Sequence, residues 1–103
     1  VFEAAVKAAE TVDGCLGRIT EKALALDYRM IIIADHGNSD YMINEDGSPN
    51  TAHTKNPVPC IFVGNDTQCL TLGEGRLADV APTILFSMGI KQPEIMTGQN
   101  LVQ

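Results

Sequence analysis

The chain has 103 residues, of which 45% are hydrophobic and 19% are charged, and its net charge is −6. This length fits one domain of modest stability, and the composition is typical of a globular protein and excludes a disordered one. The negative charge argues against nucleic-acid or anionic-membrane binding, because both normally need a basic surface. We therefore expect neither nucleic acid nor a membrane among its partners.

The first predicted element is an amphipathic helix over residues 2–26, which ends at Asp27-Tyr28. Gly14 and Gly17 lie inside it and indicate either a kink or the close approach of a neighbouring element. The chain starts at Val1, within the helical pattern and without Met, so we expect it to be a segment of a longer protein. The periodicity rests on apolar residues every three or four positions: Phe2, Val6, Ala9, Val12, Leu16, Ile19, Ala23 and Leu26.

Two apolar runs separated by a long polar segment predict two strands. Residues 29–34 are continuously apolar after Arg29, which indicates burial on both faces, as in a parallel sheet. Residues 35–56 are rich in turn-forming residues and predict a loop, and a loop of this length inside a domain is more often functional than filler. Residues 58–63 predict the second buried strand.

The remainder of the chain predicts a short edge strand, a helix and an irregular tail. The edge strand covers residues 69–72 and the tail covers residues 92–103. The helix covers residues 78–89, with Asp79 as its cap and Gly89 as its end. The fold class is therefore α/β, as a part of a parallel sheet, with residues 1–103 forming a single segment.

The three cysteines, Cys15, Cys60 and Cys69, are an odd number at unrelated spacings. We expect reduced thiols and a cytoplasmic location, because structural disulfides are rare in the cytosol. No apolar run approaches the roughly 20 residues of a membrane span, and we expect no secretory signal peptide.

The candidate chemistry begins where the first strand ends, at Asp35-His36-Gly37. Ligands bind at the carboxyl ends of strands in open α/β sheets. Successive strand side chains point to opposite faces, so Asp35 and His36 converge only if the backbone turns, which Gly37 permits. A carboxylate and an imidazole suit Zn²⁺ or Mn²⁺. The alternative is that Asp35 caps a turn and His36 lies on the surface.

The second histidine, His53, is the only other one in the chain. It lies shortly before the second strand and is therefore able to return to the end of the first. Alone, it is an ordinary loop histidine. The carboxylates of the same loop, Asp40, Glu45 and Asp46, are most simply solvated charges, and Ser39 lies in no recognisable activated setting.

Four segments carry a resemblance to a known family. Residues 32–38 (IIADHGN) and 51–59 (TAHTKNPVP) resemble the cofactor-independent (2,3-bisphosphoglycerate-independent) phosphoglycerate mutases. Residues 77–85 (LADVAPTIL) and 96–101 (MTGQNL) are similar to the C-terminal end of those enzymes. The DHG and APTIL elements are shared across the alkaline phosphatase superfamily, whereas HTxNPVP is more specific. The resemblance implies that the sequence is the C-terminal piece of an alkaline-phosphatase-like domain and that its fold is part of a parallel-sheet sandwich. It would correspond to about the last fifth of the chain of such an enzyme.

The resemblance also implies an activity and a set of metal ligands. Enzymes of this family interconvert 3-phosphoglycerate and 2-phosphoglycerate, a step of glycolysis, through a phosphoserine intermediate and with two metal ions, usually Mn²⁺. By that motif, Asp35 and His36 would ligate one ion and His53 the other. Paired ions stabilise the attacking and leaving oxygens of an in-line displacement.

The chain lacks counterparts of the family's serine nucleophile, its other metal ligands, its phosphate-clamping basic residues and its transferase domain. Three ligands divided between two ions hold neither firmly, so we expect the chain alone to be inactive and to bind Mn²⁺ or Zn²⁺ weakly. Uncovered apolar faces and strand edges favour self-association. Two alternatives stay open: a segment of a related metal-dependent phosphatase or phosphopentomutase, and a stand-alone, non-enzymatic α/β module.

Overall fold

The computed structural model describes residues 2–103. Within that range no helix is both long enough and apolar enough to cross a lipid bilayer. The chain divides into two compact units, of which the first ends at Asp66 and the second comprises Thr67–Gln103. In chain order the elements are α1 (Phe2–Ala25), β1 (Met30–Ile33), β2 (Cys60–Val63), a 3-10 turn (Leu77–Asp79) and α2 (Val80–Ser87).

Helix α1 confirms the amphipathic helix predicted for residues 2–26. It ends in a left-handed residue, Asp27, at φ 59°. The N–H of Tyr28 then donates to the carbonyl of Ala23 at 2.7 Å, and the N–H of Asp27 donates to Leu24 at 3.1 Å. This pair of bonds satisfies the last carbonyls of the helix and releases the chain into β1. Aspartate is one of the few residues besides glycine that adopt this conformation.

The two glycines of α1 have no packing partner in the described part of the chain. The helix runs unbroken through Gly14 and Gly17, and a Cβ atom added at either would meet nothing within 4 Å. The expected close approach of a neighbouring element at these glycines is therefore not present within residues 2–103. The apolar face of α1 stays exposed, with Val12 64% and Ile19 58% accessible.

Strands β1 and β2 pair antiparallel, so the predicted parallel sheet is wrong for this pair. The register joins Met30 to Val63 and Ile33 to Cys60. Parallel neighbours need a crossover connection, usually a helix, whereas residues 34–59 contain no helix and bring the chain directly back. The predicted burial on both faces is also wrong: no residue of either strand is buried. Continuous hydrophobicity indicates two covered faces, and the described residues cover both only in part.

The minor elements follow the prediction in part. The second strand starts at Cys60 rather than at residue 58, since Pro59 has no N–H to donate. The predicted edge strand at residues 69–72 is wrong, because only Leu72 pairs, in a single antiparallel bridge with Val102. The three cysteines are free thiols, as predicted.

The second unit is held by a buried carboxylate and a buried hydroxyl. Asp79 precedes α2, but its carboxylate accepts the backbone N–H groups of Arg76 and Gln99, each at 2.8 Å, rather than those of the helix. Asp79 is therefore not a helix cap as predicted, but connects the segment before α2 to the C-terminal tail. These bonds, first that of Arg76 and then that of Gln99, lower the pKa of Asp79.

Thr83 completes this connection. Its hydroxyl donates to the Asp79 carbonyl at 2.7 Å and accepts the N–H of Leu101 at 3.0 Å, and the residue is 2% exposed. Gly89 ends α2 at φ 70°, as predicted. In the part of the chain that the structure describes no aliphatic or aromatic side chain except that of Pro82 is buried, whereas the polar residues Thr67, Asp79 and Thr83 are. Polar bonds rather than an apolar core thus organise this unit.

We predict that Thr83→Val makes the amide hydrogen of Leu101 exchange at least about fivefold faster. Valine keeps the side-chain volume but removes the acceptor, and leaving a buried partner unsatisfied costs about 1–3 kcal/mol. Hydrogen exchange measured by NMR checks this, with Thr83→Ser as the matched control because it retains the hydroxyl. Unchanged Leu101 exchange in the valine variant would contradict the role assigned to Thr83.

Candidate metal centre

A backbone bridge joins the end of β1 to the segment that carries the second histidine. The N–H of Gly37 donates to the carbonyl of Thr54 at 3.2 Å, and the N–H of Thr54 donates back to the carbonyl of Gly37 at 2.7 Å. Gly37 is buried, and a Cβ atom there would collide with the Thr54 hydroxyl and lie 2.9 Å from Asp40 Oδ1. Only glycine allows this approach.

The bridge places the two histidines on one face of the pair. In an antiparallel register that joins 37 to 54, residue 36 lies opposite 55, and 53 is its diagonal neighbour on the same face. The rings of His36 and His53 stack with their centroids 3.7 Å apart and their planes 17° from parallel. The sequence-based expectation that His53 returns to the end of the first strand therefore agrees with the geometry.

The hydrogen-bond partner of His36 determines which of its nitrogens faces outward. Nδ1 lies 3.1 Å from the carbonyl oxygen of Gly37. Because a carbonyl only accepts, this bond requires the hydrogen on Nδ1 and leaves the lone pair on Nε2. That nitrogen lies 3.6 Å from Asp35 Oδ1. In the neutral tautomer two acceptors thus face one another, an arrangement that a shared cation would relieve.

Asp35 and His36 fit one divalent ion in spacing and in chemistry. Two ligands about 2.1 Å from a tetrahedral ion lie about 3.4 Å apart, close to the 3.6 Å found here. The site is open to solvent, because the side chain of Asp35 is 82% exposed and that of His36 is 37% exposed.

The third predicted ligand does not converge on the same point. Imidazole lone pairs lie in the ring plane, so the nearly parallel rings of His36 and His53 keep their lone pairs in separate planes rather than directing them toward one ion. Among residues 2–103, no three His, Cys, Asp or Glu side chains are grouped to hold a metal. The structure therefore joins His36 to Asp35 and, separately, to His53.

Sequence reasoning missed the role of Asp40. Its carboxylate accepts the Thr54 hydroxyl at 3.0 Å and the Asn56 side-chain amide at 2.7 Å. These bonds, that of Asn56 above all, lower the pKa of Asp40. Asp40 is exposed, as expected of a solvated charge, but it also joins two side chains distant in sequence, which was not expected. The available signal was the spacing of Thr54 and Asn56, two hydrogen-bond donors two residues apart.

Asp46 is exposed, as expected, and its hydrogen bonds are local. Its carboxylate accepts both the N–H of Ser48, at 2.9 Å, and the hydroxyl of Ser48. The side-chain bond and the backbone bond, in that order, lower the pKa of Asp46. This Asx turn shapes the tip of the loop without touching either histidine segment.

The chain is similar to several curated proteins named 2,3-bisphosphoglycerate-independent phosphoglycerate mutase. It is 55% identical over 104 aligned residues to that of Clostridium acetobutylicum, covering 100% of this chain and 20% of the relative. It is 55% identical to the protein of Flavobacterium johnsoniae, covering 99% and 20%, and 53% identical to that of Akkermansia muciniphila, covering 97% and 20%. The chain thus spans about one fifth of the length of these relatives.

A family model described as the Metalloenzyme superfamily matches residues 1–92, which include Asp35, His36 and His53. Since this match extends over most of the sequence, the chain belongs to the Metalloenzyme superfamily.

Proposed function

We propose that this chain is the C-terminal segment of the metal-binding, phosphatase-like domain of a phosphoglycerate mutase. The whole enzyme would interconvert 3-phosphoglycerate and 2-phosphoglycerate in the cytoplasm through a phosphoserine. The observation that carries the proposal is the apposition of His53 and the Asp35-His36 pair within a chain 55% identical to proteins of that name. The rest of that enzyme would supply the serine and the remaining ligands.

The ligand assignment follows the resemblance to the mutase family. By that resemblance Asp35 and His36 would hold one ion and His53 a second, and the stacking of the two histidine rings in nearly parallel planes is compatible with this division. Mn²⁺ is the expected metal, and the carboxylate and imidazole donors also suit Zn²⁺. When bound, two such ions stabilise the attacking and leaving oxygens of an in-line phosphoryl displacement.

The chain's own residues prepare the site in two ways. The Gly37 carbonyl fixes the tautomer and the orientation of His36, as outer hydrogen bonds commonly do for metal-binding histidines. Asp35 places a negative charge beside the outward nitrogen, which favours a cation there. The exposed apolar residues of β1 and β2 are compatible with a position inside a larger sheet. In the parallel-sheet sandwich proposed for the whole domain, neighbouring elements would cover these two strands.

We predict that the full-length protein isomerises 3-phosphoglycerate, and that Asp35→Asn or His53→Ala each removes about one of two bound Mn²⁺ ions per chain. Activity should fall by at least roughly 100-fold, because loss of outer-shell partners alone costs 10- to 100-fold. Metal analysis and a coupled assay for 2-phosphoglycerate measure both effects. Glu45→Gln, an exposed change in the same loop, is the matched control.

Four findings would contradict the proposal or part of it. Net release of inorganic phosphate would favour a phosphatase, and isomerisation of a pentose phosphate would favour a phosphopentomutase. Full metal occupancy in the His53→Ala protein would reject the assignment of His53. An upstream sequence without a serine motif and without an Asp-x-x-x-His pair would reject the proposal that the whole protein is a phosphoglycerate mutase.

We predict that the 103-residue chain alone shows no turnover of 3-phosphoglycerate and binds Mn²⁺ with a Kd of about 1 mM, about −4 kcal/mol. Asp35 and His36 provide only two ligands, both open to solvent, and the ring of His53 lies in a separate, nearly parallel plane. Titration followed by electron paramagnetic resonance measures the affinity. Micromolar binding would instead support a stand-alone metal-binding module, and turnover would refute the inactivity.

We also propose that the isolated chain self-associates through its exposed apolar surface. We predict that its apparent mass in sedimentation equilibrium rises with protein concentration. Ile19→Glu should reduce association, because Ile19 is 58% exposed on the apolar face of α1. Glu10 lies two and a half turns away on the opposite side, so Glu10→Gln is a control that changes the net charge by one unit, in the opposite direction, and leaves the apolar face intact. A monomer at high concentration would contradict this proposal.

A further inference from the structure

The segment that carries His53 is held from behind by a side chain of the same loop. Asp40 contacts Thr54 through both carboxylate oxygens, at 3.0 and 3.1 Å, and Asn56 through Oδ2 at 2.7 Å. Thr54 pairs in a single antiparallel bridge, where neighbouring side chains point to opposite faces, so His53 lies on the face opposite to the Thr54 side chain. Asp40 therefore binds this segment from the face opposite to His53.

This grip lies directly over the backbone bridge. A Cβ atom at Gly37 would lie 2.9 Å from Asp40 Oδ1, so the carboxylate packs against the glycine that follows His36. The same carboxylate thus contacts both sides of the bridge, at Gly37 and at Thr54. A slip of one residue in this register would turn His53 to the far face, and Asp40 opposes it by holding Thr54 and Asn56.

We infer that Asp40 is a positioning residue, whose carboxylate fixes the ring of His53 against the ring of His36 by holding Thr54 and Asn56. Asp40 acts through these two neighbours and touches neither histidine. Its consequence for metal binding rests on the proposed function, whereas its effect on the ring stack does not.

A second loop carboxylate supplies the comparison. Asp46 accepts two hydrogen bonds as Asp40 does, but both come from Ser48, two residues further on. Asp46 thus builds a local turn, whereas Asp40 joins residues 14 and 16 positions away. Removing either carboxylate takes one negative charge from the same loop, so only the long-range connection differs between the two variants.

The direct test measures the ring stack in the metal-free 103-residue chain by NMR. Asp40→Ala should reduce the nuclear Overhauser effect between the imidazole protons of His36 and His53 at least fivefold. Asp40→Asn should keep at least half of it, because a rotated amide can accept from Asn56 and donate to Thr54. Asp46→Ala should leave it unchanged.

The double variant adds a test of coupling. If Asn56 acts on the stack through Asp40, then Asp40→Ala with Asn56→Ala should be no worse than Asp40→Ala alone, because contacting residues are not additive. An intact ring contact in Asp40→Ala would overturn the inference. Loss of the contact between Ile31 and Phe62, which pair across β1 and β2, would overturn it too, by making Asp40 a general stabiliser.

A second measurement uses the full-length protein and Mn²⁺ itself. Asp40→Ala should weaken one of the two Mn²⁺ sites 10- to 100-fold, with Asp40→Asn closer to the wild type. Equal losses of Mn²⁺ affinity in the Asp40→Ala and Asp40→Asn variants would show that the charge of Asp40 matters rather than its hydrogen bonds to Thr54 and Asn56. That result would overturn the inference. If the full-length protein shows no mutase activity but Asp40→Ala still disrupts the stacking of His36 and His53, then the proposed function is rejected and the positioning role of Asp40 is retained.

Discussion

The short backbone bridge between Gly37 and Thr54 is the constraint on which the candidate site depends. It forces a residue without a side chain at position 37, because the Thr54 hydroxyl occupies the space of a Cβ atom. It also fixes which residues of the loop face the end of β1. The stacking of His36 and His53 and the grip of Asp40 are both consequences of that register.

Each compact unit contains a carboxylate that receives a hydrogen bond from a residue distant in sequence. Asp40 serves the first unit, and Asp79 serves the second by joining Arg76 and Gln99. Hydrogen bonds to an ionised acceptor are roughly twice as strong as neutral ones and specify geometry, which suits a chain whose only buried apolar side chain within residues 2–103 is Pro82. These hydrogen bonds are the main cause of the lowered pKa of both groups, and the charge of Arg76 also lowers the pKa of Asp79.

The exposed apolar surface and the two-ligand site have a common interpretation under the proposed function. A chain that spans one fifth of its relatives' length would carry ligands and apolar faces whose counterparts belong to other parts of a larger domain. The exposed face of α1 and the uncovered strands β1 and β2 would then be interior surfaces of that domain. Asp35, 82% exposed in this chain, would lose much of its contact with water there.

The sequence by itself determined both helices, both strands and the candidate ligands, because apolar periodicity, Gly89 and the DHG motif are local signals. Only the tertiary structure decided the antiparallel pairing of β1 and β2, since continuous hydrophobicity reports burial and not strand direction. It alone also revealed Asp40, which the sequence presents as one loop carboxylate among several. Its partners lie 14 and 16 residues away, and a contact over that distance depends on how the loop folds back rather than on any local pattern.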